Sequence, residues 1–272
     1  MTSAPLRILP SPEAIGEEIA GRLLDRIARA RQTARPFLLG CPTGRSPRPV
    51  FAAMARLLAA VPQDLGHLVL VMMDEYLVPA PGGALAYAPS DAPWSCHHFA
   101  RAEIGNRLNH ELPEPHRIRG EAIWFPDPGD PAEYDGRIDA AGGIDFFLLA
   151  SGASDGHVAF NPPGSARDSR TRIIALSAET RRDNLQTFPT FGTIETVPRH
   201  GISVGIDTIV RSREAAMIAW GAGKAQTVDR MRHADHYEPD WPATLIHECA
   251  GGEILCDTAA AKADDSAGQL SR

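Results

Sequence analysis

The stretch Phe37-Leu38-Leu39-Gly40-Cys41-Pro42-Thr43-Gly44-Arg45-Ser46-Pro47 decides the fold. Its apolar start reads as a strand, and the loop rich in Gly and Pro ends that strand. Beyond it, Val50, Phe51, Met54, Leu57 and Leu58 recur at helical spacing. Strand, glycine-containing loop and helix form the first half of a βαβ unit. Upstream, Ser11-Pro12-Glu13 is a helix start: a capping hydroxyl, a proline where no amide hydrogen is needed, and a carboxylate at the positive end of the dipole. Ile15, Ile19, Leu23 and Ile27 then make one apolar stripe.

Downstream the pattern repeats. Residues 68–73 are continuously apolar, as expected of a strand covered on both faces, and Asp74-Glu75 stands at their carboxyl end. Residues 144–150 form the next strand and run into a polar loop, 151–157. Residues 202–206 and 215–220 are the fourth and fifth strands, Gly221-Ala222-Gly223-Lys224 follows the fifth, and residues 254–256 are a sixth. Strands alternating with helices predict a doubly wound, mostly parallel sheet in three α/β/α layers. The stretches 79–93 and 126–131 read as surface excursions. The expected organisation is one domain over residues 1–257 and a flexible tail over 258–272.

With 272 residues, the chain is long enough to bury a large core. A composition of 43% hydrophobic and 22% charged residues excludes a disordered chain. The 27 basic residues against 34 acidic ones give a net charge of −7, and no basic run offsets it, which argues against nucleic acid as the main partner. No apolar run approaches the roughly 20 residues of a membrane span, and residues 1–9 lack a signal-peptide core. The expectation is a cytoplasmic protein with no membrane partner. Cys41, Cys96, Cys249 and Cys256 are far apart and lack metal-ligand spacing, so they read as reduced thiols.

In open parallel sheets, ligands bind beyond the carboxyl ends of the strands. Four polar segments converge there. Thr43, Gly44, Arg45 and Ser46 precede a helix and offer hydroxyls, amide hydrogens and a guanidinium to an anion, or else form an ordinary turn. Lys224 fits the same role, or is a solvated surface lysine. Asp74 and Glu75 follow one another on a strand, so they point to opposite faces and cannot do one job. A carboxylate beside apolar walls has its pKa raised and suits a general base. In Asp155-Gly156-His157 the carboxylate either orients the imidazole or joins it at a ligand. His97-His98 looks like a metal pair, but adjacent helical residues diverge, so no metal is expected.

Taken in order, these segments carry a resemblance. Cys41 to Pro47, Met73-Asp74-Glu75-Tyr76, Ser95-Cys96-His97-His98-Phe99, Gly143-Ile144-Asp145-Phe146-Phe147 and Asp155-Gly156-His157-Val158-Ala159-Phe160-Asn161 are followed by Thr171-Arg172, Glu179-Thr180-Arg181, Val204-Gly205-Ile206 and Gly223-Lys224-Ala225. The chain resembles the glucosamine-6-phosphate deaminase/isomerase family, grouped with 6-phosphogluconolactonases, as a divergent member. The match covers roughly residues 35–256.

The resemblance implies a Rossmann-like sheet and a reaction without cofactor or metal. An amino-sugar 6-phosphate is isomerised to the keto form and ammonia is released. It further implies that Asp74 moves a proton between C2 and C1, and that His157, oriented by Asp155, opens the pyranose ring. Thr43, Gly44, Arg45, Ser46 and Lys224 are expected at the phosphate, with Glu75 and Gly152 also at the substrate. The alternatives are a 6-phosphogluconolactonase-like hydrolase and a sugar-phosphate-binding homologue without turnover. Family members are often oligomeric, which makes a homo-oligomer an expectation here.

The departures are specific. Pro162 stands where the family has a Glu that completes an Asp–His–Glu arrangement. Gln186 replaces a phosphate-binding Arg, and Arg45, where the family loop carries a small residue, is expected to restore that charge. Ser151 and Ala153 replace loop glycines, and Ile174 stands where allosteric bacterial members place a Lys.

Overall fold

A computed structural model describes residues 3–262 apart from residue 34. Strand β1 (Leu6–Leu9) leads into helix α1 (Pro12–Ala30), whose start follows the sequence: Ser11 Oγ accepts the Ala14 N–H at 3.2 Å. The buried stripe of α1 includes Ile15, Ile19, Leu23 and Ile27. Next come β2 (Phe37–Cys41), α2 (Arg48–Ala60), β3 (Leu68–Met72), β4 (Asp74–Pro79), β5 (Leu85–Tyr87), α3 (Cys96–Phe99), α4 (Asn106–Asn109) and β6 (Ile123–Trp124). The rest of the chain gives α5 (Pro131–Ala140), β7 (Phe146–Leu149), β8 (Arg172–Ala175), α6 (Ala178–Thr187), β9 (His200–Ser203), α7 (Ile206–Val210), β10 (Ala215–Ala219), α8 (Ala225–His233) and β11 (Gly252–Asp257).

Seven strands pair in the order β1-β11-β10-β7-β2-β3-β6, every pairing parallel, and helices flank the sheet. The central strands β2, β3, β7 and β10 are buried along their whole length, which is why each is a continuous apolar run. Side chains such as Leu38, Leu70, Phe147, Leu148 and Met217 fill the main core. None of the helices among the described residues is long and apolar enough to cross a membrane.

A second sheet departs from the sequence reading. Strands β5-β4-β9-β8 form an antiparallel sheet of their own. The expected fourth parallel strand, residues 202–206, is β9 of this second sheet, and only His200–Ser203 are paired. Asp74 and Glu75 do not end β3. They begin β4, opposite Ser203 and Ile202 of β9. Met73 is the crossing point: its N–H donates to Cys41 O at 3.3 Å and its carbonyl accepts from Val204 N at 2.8 Å. The stretch 79–93 holds β5, so it is partly sheet. Tyr76, Phe160, Phe191 and Val197 form a small core on this sheet. Gly201 permits it, since a Cβ there would meet the Phe160 ring at 2.4 Å.

Strands β1 and β6 carry no run long enough to announce them in the sequence. All four cysteines are free and buried. The tail expected over 258–272 lies outside the described residues from 263 onward.

Candidate active site

The carboxyl ends of β2, β7 and β10, together with Met73 and the start of β4, border one cavity of about 350 Å³. The β2–α2 loop contributes Thr43, Gly44, Arg45 and Ser46. Gly44 turns the loop with φ +87°, a left-handed conformation that favours glycine. Trp220 at the end of β10 donates from Nε1 to Ser46 O at 3.1 Å and fixes the loop from across the sheet. Lys224, just before α8, enters the same cavity and donates from Nζ to Ser151 O. Burial, followed by repulsion from Arg45, pulls the Lys224 pKa down to about 8; Asp183 and Asp155 oppose the fall. Two cationic side chains thus meet at the mouth of a loop whose amides precede a helix, an arrangement suited to an anion.

Asp74 faces the cavity but is only 5% exposed. Burial raises its pKa to about 7, and the adjacent Glu75 adds to the rise. A hydrogen bond from Cys96 and the nearby His157 pull the other way.

Glu75 was expected at the substrate, and here the structure corrects the sequence reading. Strand alternation turns Glu75 away from the cavity into a fully enclosed site. Its carboxylate accepts from the backbone N–H groups of Tyr76, Cys96 and His97, and from Ser95 Oγ at 2.8 Å. His97 Nδ1 lies 2.6 Å from Glu75 Oε2, and the His97 ring stacks on Phe125 at 3.6 Å. Both features tie His97 into the framework.

The loop after β7 is shaped around His157. Its Nδ1 lies 2.6 Å from Asp155 Oδ1, which also accepts the His157 N–H at 3.1 Å. The second oxygen, Asp155 Oδ2, accepts from Thr180 Oγ1 of α6 at 3.2 Å. Burial works to raise the Asp155 pKa, but the hydrogen bonds and charge of His157 outweigh it and hold the carboxyl below its ordinary range. Asp155 does not line the cavity; it stands behind His157, which does. Gly152 is required where it is, because a Cβ there would lie 2.2 Å from His157 Nδ1 and 2.7 Å from Asp155 Oδ1. Ala159, also on the cavity wall, is held at φ +52°. Asn161, fully enclosed, supports this turn by donating from Nδ2 to Val158 O and Val204 O.

Of the residues singled out in the sequence, Thr43, Gly44, Arg45, Ser46, Asp74, Gly152, His157 and Lys224 line the one cavity. Helix α6 supplies further lining: Asp183, Asn184, Gln186 and Thr187. Asp183 Oδ2 accepts from Ala153 N at 3.0 Å and from Ser154 Oγ at 3.0 Å, which fastens the His157 loop to α6. Asn184 stands beside Asp183 on the cavity wall. Its Nδ2 is buried with no hydrogen-bond partner among the described residues. Asp155, His157 and Asp183 each bring a possible metal-ligating atom within 4.8 Å of the others. Asp155 is already bonded to His157 Nδ1 and Thr180, and Asp183 to the loop at Ala153 and Ser154.

A parallel α/β sheet with a carboxylate, an imidazole and two cationic side chains around one cavity at its carboxyl edge suits an enzyme acting on a small anionic molecule. The model of the glucosamine-6-phosphate isomerases/6-phosphogluconolactonase family matches residues 10–256, and the chain belongs to that family. It is 36% identical over 221 residues to a glucosamine-6-phosphate deaminase of Arthrobacter sp. (strain FB24), covering 81% of this chain and 78% of that one. A glucosamine-6-phosphate isomerase of Candida albicans is 33% identical over 256 residues, or 93% of this chain and 96% of its own. Among solved structures, a monomeric glucosamine-6-phosphate deaminase superposes with a TM-score of 0.78 at 25% identity, covering 94% of this chain and 98% of that one.

Proposed function

We propose that this enzyme converts an amino-sugar 6-phosphate, of the glucosamine 6-phosphate type, into the ketose 6-phosphate and ammonia. The observation that carries the reading is the shared cavity: Asp74, with its pKa near 7, and the oriented His157 open onto the same space as Arg45 and Lys224.

In this reading the phosphate lies at the loop of residues 43–46, with Arg45 and Lys224 supplying positive charge. Asp155 accepts the His157 Nδ1 hydrogen, which leaves Nε2 for the sugar. Ring opening moves the anomeric proton from O1 to O5 by way of that nitrogen and breaks the C1–O5 bond. Asp74, ionised, then carries the C2 proton to C1. A proton passes from the C2 ammonium to O1, leaving an iminium carbon at C2. Water adds there and ammonia departs, so one water is consumed for each ammonia released. A carboxylate whose pKa lies near 7 both takes and returns a proton readily.

The test is ammonia release from glucosamine and galactosamine 6-phosphates, with hydrolysis of 6-phosphogluconolactone run in parallel. Release from an amino sugar that Asp74→Asn abolishes, with the circular dichroism unchanged, supports the reading. Lactone hydrolysis without ammonia release overturns it.

A further inference from the structure

The mechanism above leaves one neighbour of Asp74 unused. Cys96 Sγ lies 3.3 Å from Asp74 Oδ1 and 3.6 Å from Thr43 Oγ1, so a short chain of contacts links the anion loop to the base. Among the described residues, Cys96 is the one side chain hydrogen-bonded to the Asp74 carboxylate. The thiol is 1% exposed, out of reach of bulk solvent. Burial, reinforced by the charges of Glu75 and Asp74, raises the Cys96 pKa, which keeps the sulfur protonated and therefore a donor. Its position is set by Glu75, which holds the backbone N–H groups of Cys96 and His97 and so fixes the first turn of α3. The other titratable groups that act on Asp74 are Glu75, its strand neighbour turned to the opposite face, and His157 from the loop after β7.

We propose that Cys96 is a positioning residue for the proton transfer, its S–H holding Asp74 Oδ1 toward the cavity and tying the base to Thr43. The inference rests on the aldose–ketose reading above. A hydrogen bond to the ionised carboxylate favours that form, so losing the donor makes Asp74 harder to ionise.

The experiment compares wild type, Cys96→Ser and Cys96→Ala by the pH dependence of kcat and KM for ammonia release. A carbon-13 titration of the Asp74 carboxyl, assigned through Asp74→Asn, accompanies it. In Cys96→Ala the ionisation of Asp74 moves to higher pH by about half to one unit. Its kcat falls roughly 10-fold, while KM stays within about twofold. Cys96→Ser, which keeps a donor, recovers most of both. An alanine profile superposable on wild type, or a serine variant that behaves like alanine, overturns the proposal. If the wild type releases no ammonia, the reaction reading fails, and the carboxyl titration still decides whether the thiol holds Asp74.

Discussion

Asp155 grips His157 twice, through the ring Nδ1 at 2.6 Å and the backbone N–H at 3.1 Å, and Thr180 holds the second carboxylate oxygen. The imidazole is therefore held in one orientation, with Nδ1 on Asp155 and Nε2 without a hydrogen-bond partner among the described residues. Asp155→Asn keeps the volume but removes the negative charge and puts an NH2 donor in place of one oxygen, which frees the imidazole to take the other tautomer. Turnover is expected to fall by ~10²-fold or more, with KM changed only a few-fold. Steady-state kinetics at saturating sugar phosphate check this; an equal rise in KM with kcat intact would assign Asp155 to binding instead.

Asp74 also leaves a mark on stability. Its folded pKa of about 7 lies well above that of an exposed Asp, so the folded state binds the extra proton. Its contribution is fully present below about pH 4 and is lost as pH rises through about 7. Asp74→Asn is neutral throughout and escapes that loss. It is expected to be more stable than wild type at pH 8 by ~1–4 kcal/mol, with the difference vanishing near pH 4. Thermal unfolding across this range measures it, and an asparagine variant less stable at pH 8 would contradict the burial argument.

Arg45 lines the cavity on the loop proposed to hold the phosphate. Arg45→Ala should weaken inorganic phosphate and sugar-phosphate binding by roughly 10-fold or more, the worth of a charge-assisted hydrogen bond. Calorimetric titration reads it directly. The guanidinium is exposed, so the affinity of the wild type should also fall with added salt, and that of the alanine variant less so. Equal affinities in the two proteins would remove Arg45 from the site.

Gly152→Ala places a methyl group against His157 Nδ1 and Asp155 Oδ1. One of these groups must move, at a cost of about 1–3 kcal/mol in stability. Activity should drop much further than stability, because the displaced ring is the one proposed to open the sugar. Parallel measurement of melting temperature and turnover separates the two effects.

The parallel sheet was legible because its central strands are buried on both faces and therefore uniformly apolar. The antiparallel sheet was not. Only Met73 separates β3 from β4, so the two strands read as one run ending in acids. Strands β8 and β9 have four residues each, and the pairing of Asp74 with Ser203 bridges nearly half of the chain. Local pattern carries no trace of such contacts. At the site, His157 and Lys224 stood out because each follows an apolar run in a glycine-containing loop, and Asp74 because it is a carboxylate directly after such a run. The α6 residues Asp183 and Asn184 did not, since a polar helix face looks the same whether it meets solvent or a cavity. Glu75 misled because it adjoins Asp74; strand parity separated the two, but only the structure shows where the second carboxylate goes.

The enclosure of Glu75 changes how damage at that residue should be interpreted. Removing its charge would release three backbone amides and a serine at once and let the short turn that carries Cys96 drift. Such a protein could lose turnover as completely as one without Asp74, although the altered side chain does not line the cavity. Inactivity alone therefore does not earn a residue a place in the chemistry here.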